Sequence, residues 1–205
     1  MEHFHFFIGG LLWDDIARIL HQGGRLRNPT NGGRIVEIPY VAADVETTGL
    51  SAADGHRVCE FALLRFLRGT VIDSFVSLVN PLRPIDPGAS AVNGITDTMV
   101  AGAPTFADLL PRILDFLADD PLVFHNAPFD LSFLRSEARI AGGSWPGNRV
   151  IDTLLLARRT GRFRSHSLPS ICREIGIGST FHRAEADAWA AGKLLLHLVP
   201  ENQAP

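Results

Sequence analysis

Apolar residues recur along the chain with two spacings, and each spacing predicts a type of element. Short, almost wholly apolar runs indicate buried strands, whereas apolar residues three and four positions apart indicate helices with one buried face. The predicted strands are 40 to the turn at Gly49, 58–66, 71–79, 122–124 and 149–152. The predicted helices are 106–117, 128–140, 153–159, 168–175 and 184–198.

The order of these elements predicts the fold class. Arg68-Gly69 forms a tight turn between the second and third strands, so the first three strands are expected to form an antiparallel meander. Prolines at 81, 84 and 87 then predict a long loop. Alternating helices and strands follow, and the sequence therefore predicts an α/β domain with a mixed sheet.

Composition narrows the class of protein. The chain has 205 residues, of which 46% are hydrophobic and 20% charged, as expected for one globular domain. Its net charge of -3 gives no overall basic field, although a site rich in carboxylates also lowers the net charge. Cys59 and Cys172 lie in apolar contexts and are predicted to be buried thiols. These features favour a reducing cytosol, and no stretch reaches the length of a membrane span.

Residues 1–37 are predicted to be an N-terminal extension with a short helix, ahead of a domain at 38–200 and a tail at 201–205. One interpretation is that this helix packs against its own domain. The other is a docking surface for a partner or a second copy, because an apolar patch forms if its aromatic residues are exposed. These aromatic residues are Phe4, Phe6, Phe7 and Trp13.

Two acids end the first strand. Asp44 and Glu46 are two positions apart, so their side chains point to the same face, whereas Val45 points into packing. Adjacent carboxylates repel each other and lose hydration, and a cation between them relieves both effects. Oxygen ligands of this kind suit Mg²⁺ or Mn²⁺. The alternative is an acidic strand end that simply meets solvent.

Two further motifs carry an acid and a histidine. His125-Asn126-Ala127-Pro128-Phe129-Asp130 follows the fourth predicted strand, with Pro128 at the start of a helix and Asp130 in its first turn. His182-Arg183-Ala184-Glu185-Ala186-Asp187 precedes and begins the last helix, with Asp187 on its inward stripe. The alternatives are an ordinary helix-capping acid, a solvent-facing loop histidine and a helix phase that is wrong by one position.

The three motifs together, in order and spacing, resemble those of the DEDDh 3′-to-5′ exonucleases, the DnaQ-like family. The resemblance covers residues 38–198 and implies a ribonuclease-H-like mixed sheet with flanking helices. It implies that four acids bind two Mg²⁺ or Mn²⁺ ions and that His182 is the general base. The implied metal ligands are Asp44, Glu46, Asp130 and Asp187. The residues predicted to contact substrate lie in these motifs and in the separate Asn93-Gly94-Ile95-Thr96 segment, which is also similar to the family. They are Thr47, Thr48, Gly49, Asn93, Ile95, Asn126 and Phe129.

The sequence departs from the family pattern at two positions. Asn93 stands before Gly-Ile-Thr, where the family often has histidine, so base contacts there are in question. Glu185 adds an acid beside the third motif, where the family often has an apolar residue.

A basic segment is the candidate path for a nucleic-acid strand. Residues 153–173 carry five arginines and no acid, with Phe163 and His166 between them as candidate stacking groups. A solvated basic surface is the alternative. The arginines predicted to contact phosphates are Arg158, Arg159, Arg162 and Arg164.

These features predict a metal-dependent 3′-to-5′ exonuclease that releases nucleoside 5′-monophosphates from single-stranded 3′ ends. DNA of the proofreading or repair type is favoured over RNA trimming. A non-catalytic module that binds nucleic-acid ends is disfavoured because all five site residues are present, and a phosphatase for small substrates does not need the arginines. The end of the sequence at Pro205 favours a stand-alone nuclease or a short subunit. Residues 1–37 are the candidate contact for a polymerase or for a homodimer.

Overall fold

Strand β1 (Tyr40–Thr47) is the middle strand of a five-stranded sheet in the computed structural model, which describes residues 38–199. The other strands are β2 (Val58–Leu67), β3 (Thr70–Leu78), β4 (Leu122–Phe124) and β5 (Val150–Asp152). The order across the sheet is β3-β2-β1-β4-β5. The first three strands pair antiparallel, and β4 and β5 join parallel to β1. The predicted meander and mixed sheet are confirmed.

Seven α-helices follow or separate these strands within the described residues. They are α1 (Pro87–Asn93), α2 (Asp97–Val100), α3 (Phe106–Leu117), α4 (Ala127–Ile140), α5 (Thr153–Thr160), α6 (Leu168–Ile175) and α7 (Ala184–Leu198). The five predicted helices correspond to α3 through α7. The prediction for the extension falls on residues 1–37, which lie outside the described part of the chain, as does the tail.

The predicted loop after the meander is present between β3 and Pro87, where α1 begins, but neither α1 nor α2 was predicted. Pro87 takes the first position of α1, where its fixed φ suits the helix and its missing N–H is not needed. Gly94, with φ of 71°, ends this helix. At seven and four residues, α1 and α2 are too short to show a helical spacing of apolar positions.

Alternation along β1 directs its side chains into two core layers. Tyr40 and Ala42 pack with α5, α6 and α7, whereas Val41, Ala43 and Val45 pack with α3 and α4. Asp44 and Glu46 follow Tyr40 and Ala42 in this alternation, so they lie on the face of the sheet that α7 covers. The sheet is therefore buried on both faces at the strand that carries the acids.

Helix α7 approaches the sheet closely at Gly192. A Cβ atom at this position would lie 2.5 Å from the ring of Phe66 and 3.1 Å from the Cβ of Ala42, so only glycine fits without a shift. The Tyr40 hydroxyl donates a hydrogen bond to the Gly192 carbonyl over 3.1 Å, and its ring stacks on Phe66. This contact fixes the height of α7 over β1, and Asp187 lies a little over one turn before it.

The structure bears on the predictions made for the two cysteines and for membrane spans. Cys59 and Cys172 are both buried free thiols, as predicted. None of the helices within residues 38–199 has the length and apolar character required to cross a membrane.

Candidate active site

Three acids meet at the carboxyl end of β1. Asp44 and Glu46 from the strand and Asp187 from the first turn of α7 each offer a carboxylate oxygen, and these oxygens lie within 4.8 Å of one another. The predicted shared face of the two strand acids and the predicted inward stripe of α7 are thereby confirmed. This grouping has the donor type and spacing for a hard divalent cation.

The pKa values of these acids reflect burial and mutual repulsion. Burial raises the pKa of Asp44 well above its ordinary value, and the charges of Asp130, Asp187 and Glu46 raise it further. Burial also raises the pKa of Glu46 to about 7, with a smaller contribution from Asp187. Burial raises the pKa of Asp187 as well. The ionised cluster is therefore unfavourable on its own, and a bound cation would remove this penalty.

Asp130 lies beside Asp44 and comes from the opposite core layer. It lies in the first turn of α4, is 3% exposed, and its Oδ1 atom accepts a hydrogen bond from the Val45 amide over 3.2 Å. Burial raises its pKa well above the ordinary value. Asp130 therefore lies beside Asp44 but outside the group of three, and its role as a ligand stays a prediction.

Asp187 stabilises the conformation of the third motif through a hydrogen bond to its backbone. Its Oδ2 atom accepts a hydrogen bond from the His182 amide over 2.9 Å, and His182 has a left-handed φ of 70°. The Oδ1 atom of Asp187 is buried and has no hydrogen-bond partner among the described residues. The exposed His182 side chain lies at the rim of the site. A buried carboxylate oxygen without a partner is suited to bind a metal ion, so this atom supports the predicted site for a divalent ion.

Asp152 organises the second motif, a role that was not predicted for it from the sequence. It ends β5, where its carboxylate accepts hydrogen bonds from the amides of Asn126 and Ala127 at 3.1 Å and also caps α5. Asn126 is exposed with φ of 79°. One carboxylate thus fixes the turn that leads to Asp130, and the signal for it was an acid placed directly before a predicted helix.

The turn after β1 is built from contacts within the protein. The Thr47 hydroxyl donates to the Gly49 carbonyl over 2.6 Å, and the Thr48 hydroxyl accepts from the Arg57 amide over 3.0 Å. A Cβ atom on Gly49 would lie 2.3 Å from the ring of His56, so close approach requires glycine there. The Thr48 amide also donates to the Arg57 carbonyl over 2.9 Å, and the Thr48 carbonyl accepts from the Asp86 amide over 3.1 Å, so the contact of this turn with a nucleotide stays a prediction.

The two departures from the family pattern now have positions. The Asn93 side chain is buried, accepts from the Ile95 amide over 2.9 Å and donates to the Thr47 carbonyl over 3.4 Å. Ile95 is 0% exposed. Glu185 is exposed and lines a shallow groove with Trp189, outside the group of three acids. Asn93 and Ile95 therefore shape the turn from inside, and their contact with substrate stays a prediction.

The basic segment lies on the surface and is anchored from within. Its four arginines named above are all exposed. Phe163 is only 7% exposed and packs in the core, so the prediction that it is a stacking group is wrong. The half-buried His125 ties this segment to the second motif, since its Nε2 atom lies 2.9 Å from the His166 carbonyl oxygen. Phe129, next to Asp130 in the sequence, is also half-buried, and its predicted contact with substrate stays a prediction.

Two further acids of the sheet region are paired with arginine, and sequence reasoning missed both. Glu60 on β2 pairs with Arg183, and Glu137 on α4 pairs with Arg57. Each carboxylate is 2–3% exposed. An acid inside the apolar run of β2 was the available signal for Glu60, because an acid is rarely buried unless it is paired.

The family model RNase_T, described as an exonuclease, matches residues 41–195. A DNA polymerase III subunit epsilon-like protein of Rhodobacter capsulatus is 38% identical over 170 residues, which are 80% of this chain and 24% of that protein. A DNA polymerase III PolC-type of Bacillus cereus is 37% identical over 169 residues, 82% of this chain and 12% of that protein. A putative bifunctional exonuclease/endonuclease protein of Mycobacterium tuberculosis is 34% identical, over 89% of this chain and 30% of that protein. The chain thus spans less than a third of these relatives.

Solved structures share the fold. Exonuclease X in complex with 5′ overhanging duplex DNA superposes with a TM-score of 0.62 and 28% identity, over 76% of this chain and 88% of that one. Exonuclease I of E. coli in complex with a dA16 oligonucleotide gives a TM-score of 0.68 at 22% identity, over 78% of this chain and 42% of that one. The predicted ribonuclease-H-like sheet with flanking helices is confirmed.

Proposed function

The chain belongs to the exonuclease family described by the RNase_T model, and from this premise we propose that it is a metal-dependent 3′-to-5′ exonuclease. It would release nucleoside 5′-monophosphates from single-stranded 3′ ends, with DNA as the favoured substrate. The observation that carries the proposal is the group formed by Asp44, Glu46 and Asp187, whose oxygens lie within 4.8 Å of one another. Asp130, buried beside Asp44, is proposed as the fourth ligand.

These residues fit two Mg²⁺ or Mn²⁺ ions. Four carboxylates match the charge of two divalent ions, and the Oδ1 atom of Asp187, which has no partner within residues 38–199, is available to bind one. When bound, such ions supply positive charge against the phosphodiester and make water a better nucleophile. The Val45 amide orients the Asp130 carboxylate beside Asp44, so this proposed ligand is held in place before any ion binds.

His182 is proposed to accept the proton of the attacking water. Its exposed side chain can reach solvent, and its backbone is held to the carboxylate of Asp187. Histidine is the side chain that most often serves as a general base. Because the contact to Asp187 is made by the amide, this contact does not occupy the imidazole.

Direction and substrate follow from the turn after β1 and from the relatives. The turn of Thr47, Thr48 and Gly49 follows Glu46 directly and is proposed to border the terminal sugar, which favours a free 3′-hydroxyl over a 3′-phosphate that would meet Glu46. Relatives named as DNA polymerase III proteins and a neighbour bound to DNA support DNA as substrate. The exposed arginines at 158, 159, 162 and 164 are proposed to contact the phosphates of the strand.

A partner role for residues 1–37 remains a proposal of its own. Relatives named for a polymerase suggest a polymerase as the partner, and a second copy of this chain is the alternative. Removing residues 1–37 should leave a folded, active domain whose apparent mass in solution falls. An insoluble product would instead favour a helix that completes the core.

The proposal is tested with end-labelled oligonucleotides of one sequence, incubated with Mg²⁺ or with a chelator. Single-stranded DNA with a 3′-hydroxyl should shorten stepwise to nucleoside 5′-monophosphates, only when Mg²⁺ is present. The 3′-phosphate form and the duplex should shorten more slowly, and a matched RNA arm separates proofreading or repair from RNA trimming. Internal cleavage of a circular strand, or stepwise loss from the 5′ end, would contradict the proposal.

A further inference from the structure

The acid of β2 lies next to the cluster without joining it. Glu60 is the direct cross-strand partner of Glu46 in the antiparallel pair of β1 and β2, so both side chains share the face under α7. Its charge is one cause of the raised pKa of Glu46. By position alone, Glu60 would count as a further acid of the cluster.

The hydrogen bonds of Glu60 connect it to the start of α7 and not to the cluster. The Arg183 guanidinium binds it through two nitrogen atoms, with Nε 3.0 Å from Oε2, and the Ala184 amide donates to Oε2 over 3.0 Å. Glu60 is 3% exposed, whereas Arg183 is 50% exposed. Both oxygens of Glu60 therefore point to the start of α7, and its charge is balanced by the chain itself.

The start of α7 depends on this contact. No side chain of its own caps the helix at Arg183, and the Glu60 carboxylate takes that place from a strand about 120 residues earlier. The next contacts run directly to the site. The Asp187 amide bonds to the Arg183 carbonyl over 3.0 Å, and the Asp187 carboxylate accepts from the His182 amide.

We propose that Glu60 and Arg183 are positioning residues that hold His182 and Asp187 over β1, so that the third motif is in place before a metal ion or substrate binds. Neither residue is a metal ligand. Arg183 also keeps the Glu60 charge directed away from the cluster. This inference rests on the proposed function, and it concerns which residues make that site rigid.

The test compares Glu60→Gln, Glu60→Ala, Arg183→Met and the double variant Glu60→Gln/Arg183→Met. Glu137→Gln is the matched control, because Glu137 is equally buried, binds Arg57 through two nitrogen atoms and accepts the Val58 amide over 3.0 Å. Three quantities are measured for each protein: the Mn²⁺ dissociation constant without substrate, kcat and KM on single-stranded DNA, and hydrogen exchange at the amides of Ala184 and Asp187.

In Arg183→Met and Glu60→Ala, kcat should fall and the Mn²⁺ dissociation constant should rise by roughly 10- to 100-fold, with KM nearly constant. Glu60→Gln keeps an oxygen for the Ala184 amide and should be affected least. The double variant should lose no more than Arg183→Met, because the two residues act through each other. Faster exchange at Ala184 and Asp187 should accompany these losses. The control should lose stability but keep its Mn²⁺ affinity.

Two outcomes separate this inference from the proposed function. If folded Glu60→Ala and Arg183→Met keep the Mn²⁺ affinity and kcat of the parent and lose only stability, as the control does, the pair is merely structural and the inference is wrong. If the parent binds Mn²⁺ but degrades no nucleic acid, the proposed function fails, whereas the affinity and exchange measurements still decide the positioning role.

Discussion

Two groups of acids lie against the same strands and differ in what balances their charge. Glu60 and Glu137 each receive one arginine and one backbone amide. At the carboxyl end of β1, Asp44, Glu46 and Asp187 converge, and among residues 38–199 no arginine or lysine forms an ion pair with any of the three.

The difference shows what the converging acids lack. The chain can pair buried acids with its own cations. It does so on β2, the strand directly beside the one that carries Asp44 and Glu46. Converging half-buried carboxylates repel one another and lose hydration, so positive charge from outside the chain would stabilise the ionised form of the group at β1. The paired acids join elements together, whereas the unpaired acids retain the capacity to bind a cation and substrate.

Asp44→Asn should have the largest effect on activity, because it removes one acid of the unpaired group. The amide keeps the shape of the side chain but removes a ligand charge, so cleavage should fall further than the roughly 10- to 100-fold typical of an outer contact. The melting temperature without metal should hold or rise, because a repulsive charge is lost. The measurement is the rate of oligonucleotide shortening beside a thermal unfolding curve. Near-parental turnover would remove Asp44 from the ligand set.

His182→Ala should separate proton transfer from ion binding. If His182 is the general base, turnover falls by roughly 10²- to 10⁴-fold while the affinity for Mn²⁺ stays close to that of the parent. Steady-state kinetics and a calorimetric Mn²⁺ titration give the two numbers. A collapse of Mn²⁺ affinity would mean that the histidine acts as a ligand and that its assigned role is wrong.

Arg57→Met should give the opposite pattern, because it acts on a paired acid. Removing the arginine leaves Glu137 buried without its partner, which should lower the free energy of unfolding by about 3–5 kcal/mol. Urea unfolding measures this loss. Mn²⁺ affinity per folded molecule should be retained, and a parallel loss of affinity and stability would show that the two groups of acids are not separate.

The unpaired acids should also make the metal-free protein less stable as pH rises. The ionised form of Glu46 is the unfavourable one in the fold, so stability decreases as pH rises from its ordinary pKa of 4.5 to the folded value of about 7 and then levels off. Excess Mg²⁺ should reduce this slope. Melting temperatures between pH 4.5 and 8, with and without Mg²⁺, check the effect, and identical slopes would argue against ion binding at the cluster.

The smallest effect is expected at the basic segment. Arg158→Gln and Arg162→Gln should raise KM with little change in kcat, because exposed arginines contribute to capture of the strand and not to the chemistry. Each should reduce the dependence of log KM on log salt by roughly 0.7 if it contacts a phosphate of a single strand. Arg112→Gln, an exposed arginine on α3 outside this segment, is the control and should leave the salt dependence unchanged.

The sequence was sufficient for the parts governed by local spacing. The alternation at Asp44 and Glu46 and the helical stripe at Asp187 gave the face on which each acid lies, and the apolar runs gave the five strands. The family resemblance, and not the spacing, implied that these acids share one site. It was insufficient where distant segments decide. The partners of Glu60 and Glu137 lie 123 and 80 residues away in the chain, and no local pattern announces such a pair. Phe163 could equally have faced solvent or the core, and only the packing of α5 and α6 decides that it is buried.

The most direct test of the account is a Mn²⁺ titration of three proteins without substrate: the parent, Asp44→Asn and Glu137→Gln. If the unpaired acids are the cation site and the paired acids only join elements, the parent and Glu137→Gln bind Mn²⁺ with similar affinity and approach two ions per chain. Asp44→Asn then loses this binding. Equal binding by the parent and Asp44→Asn, or no saturable binding by the parent, would contradict the account.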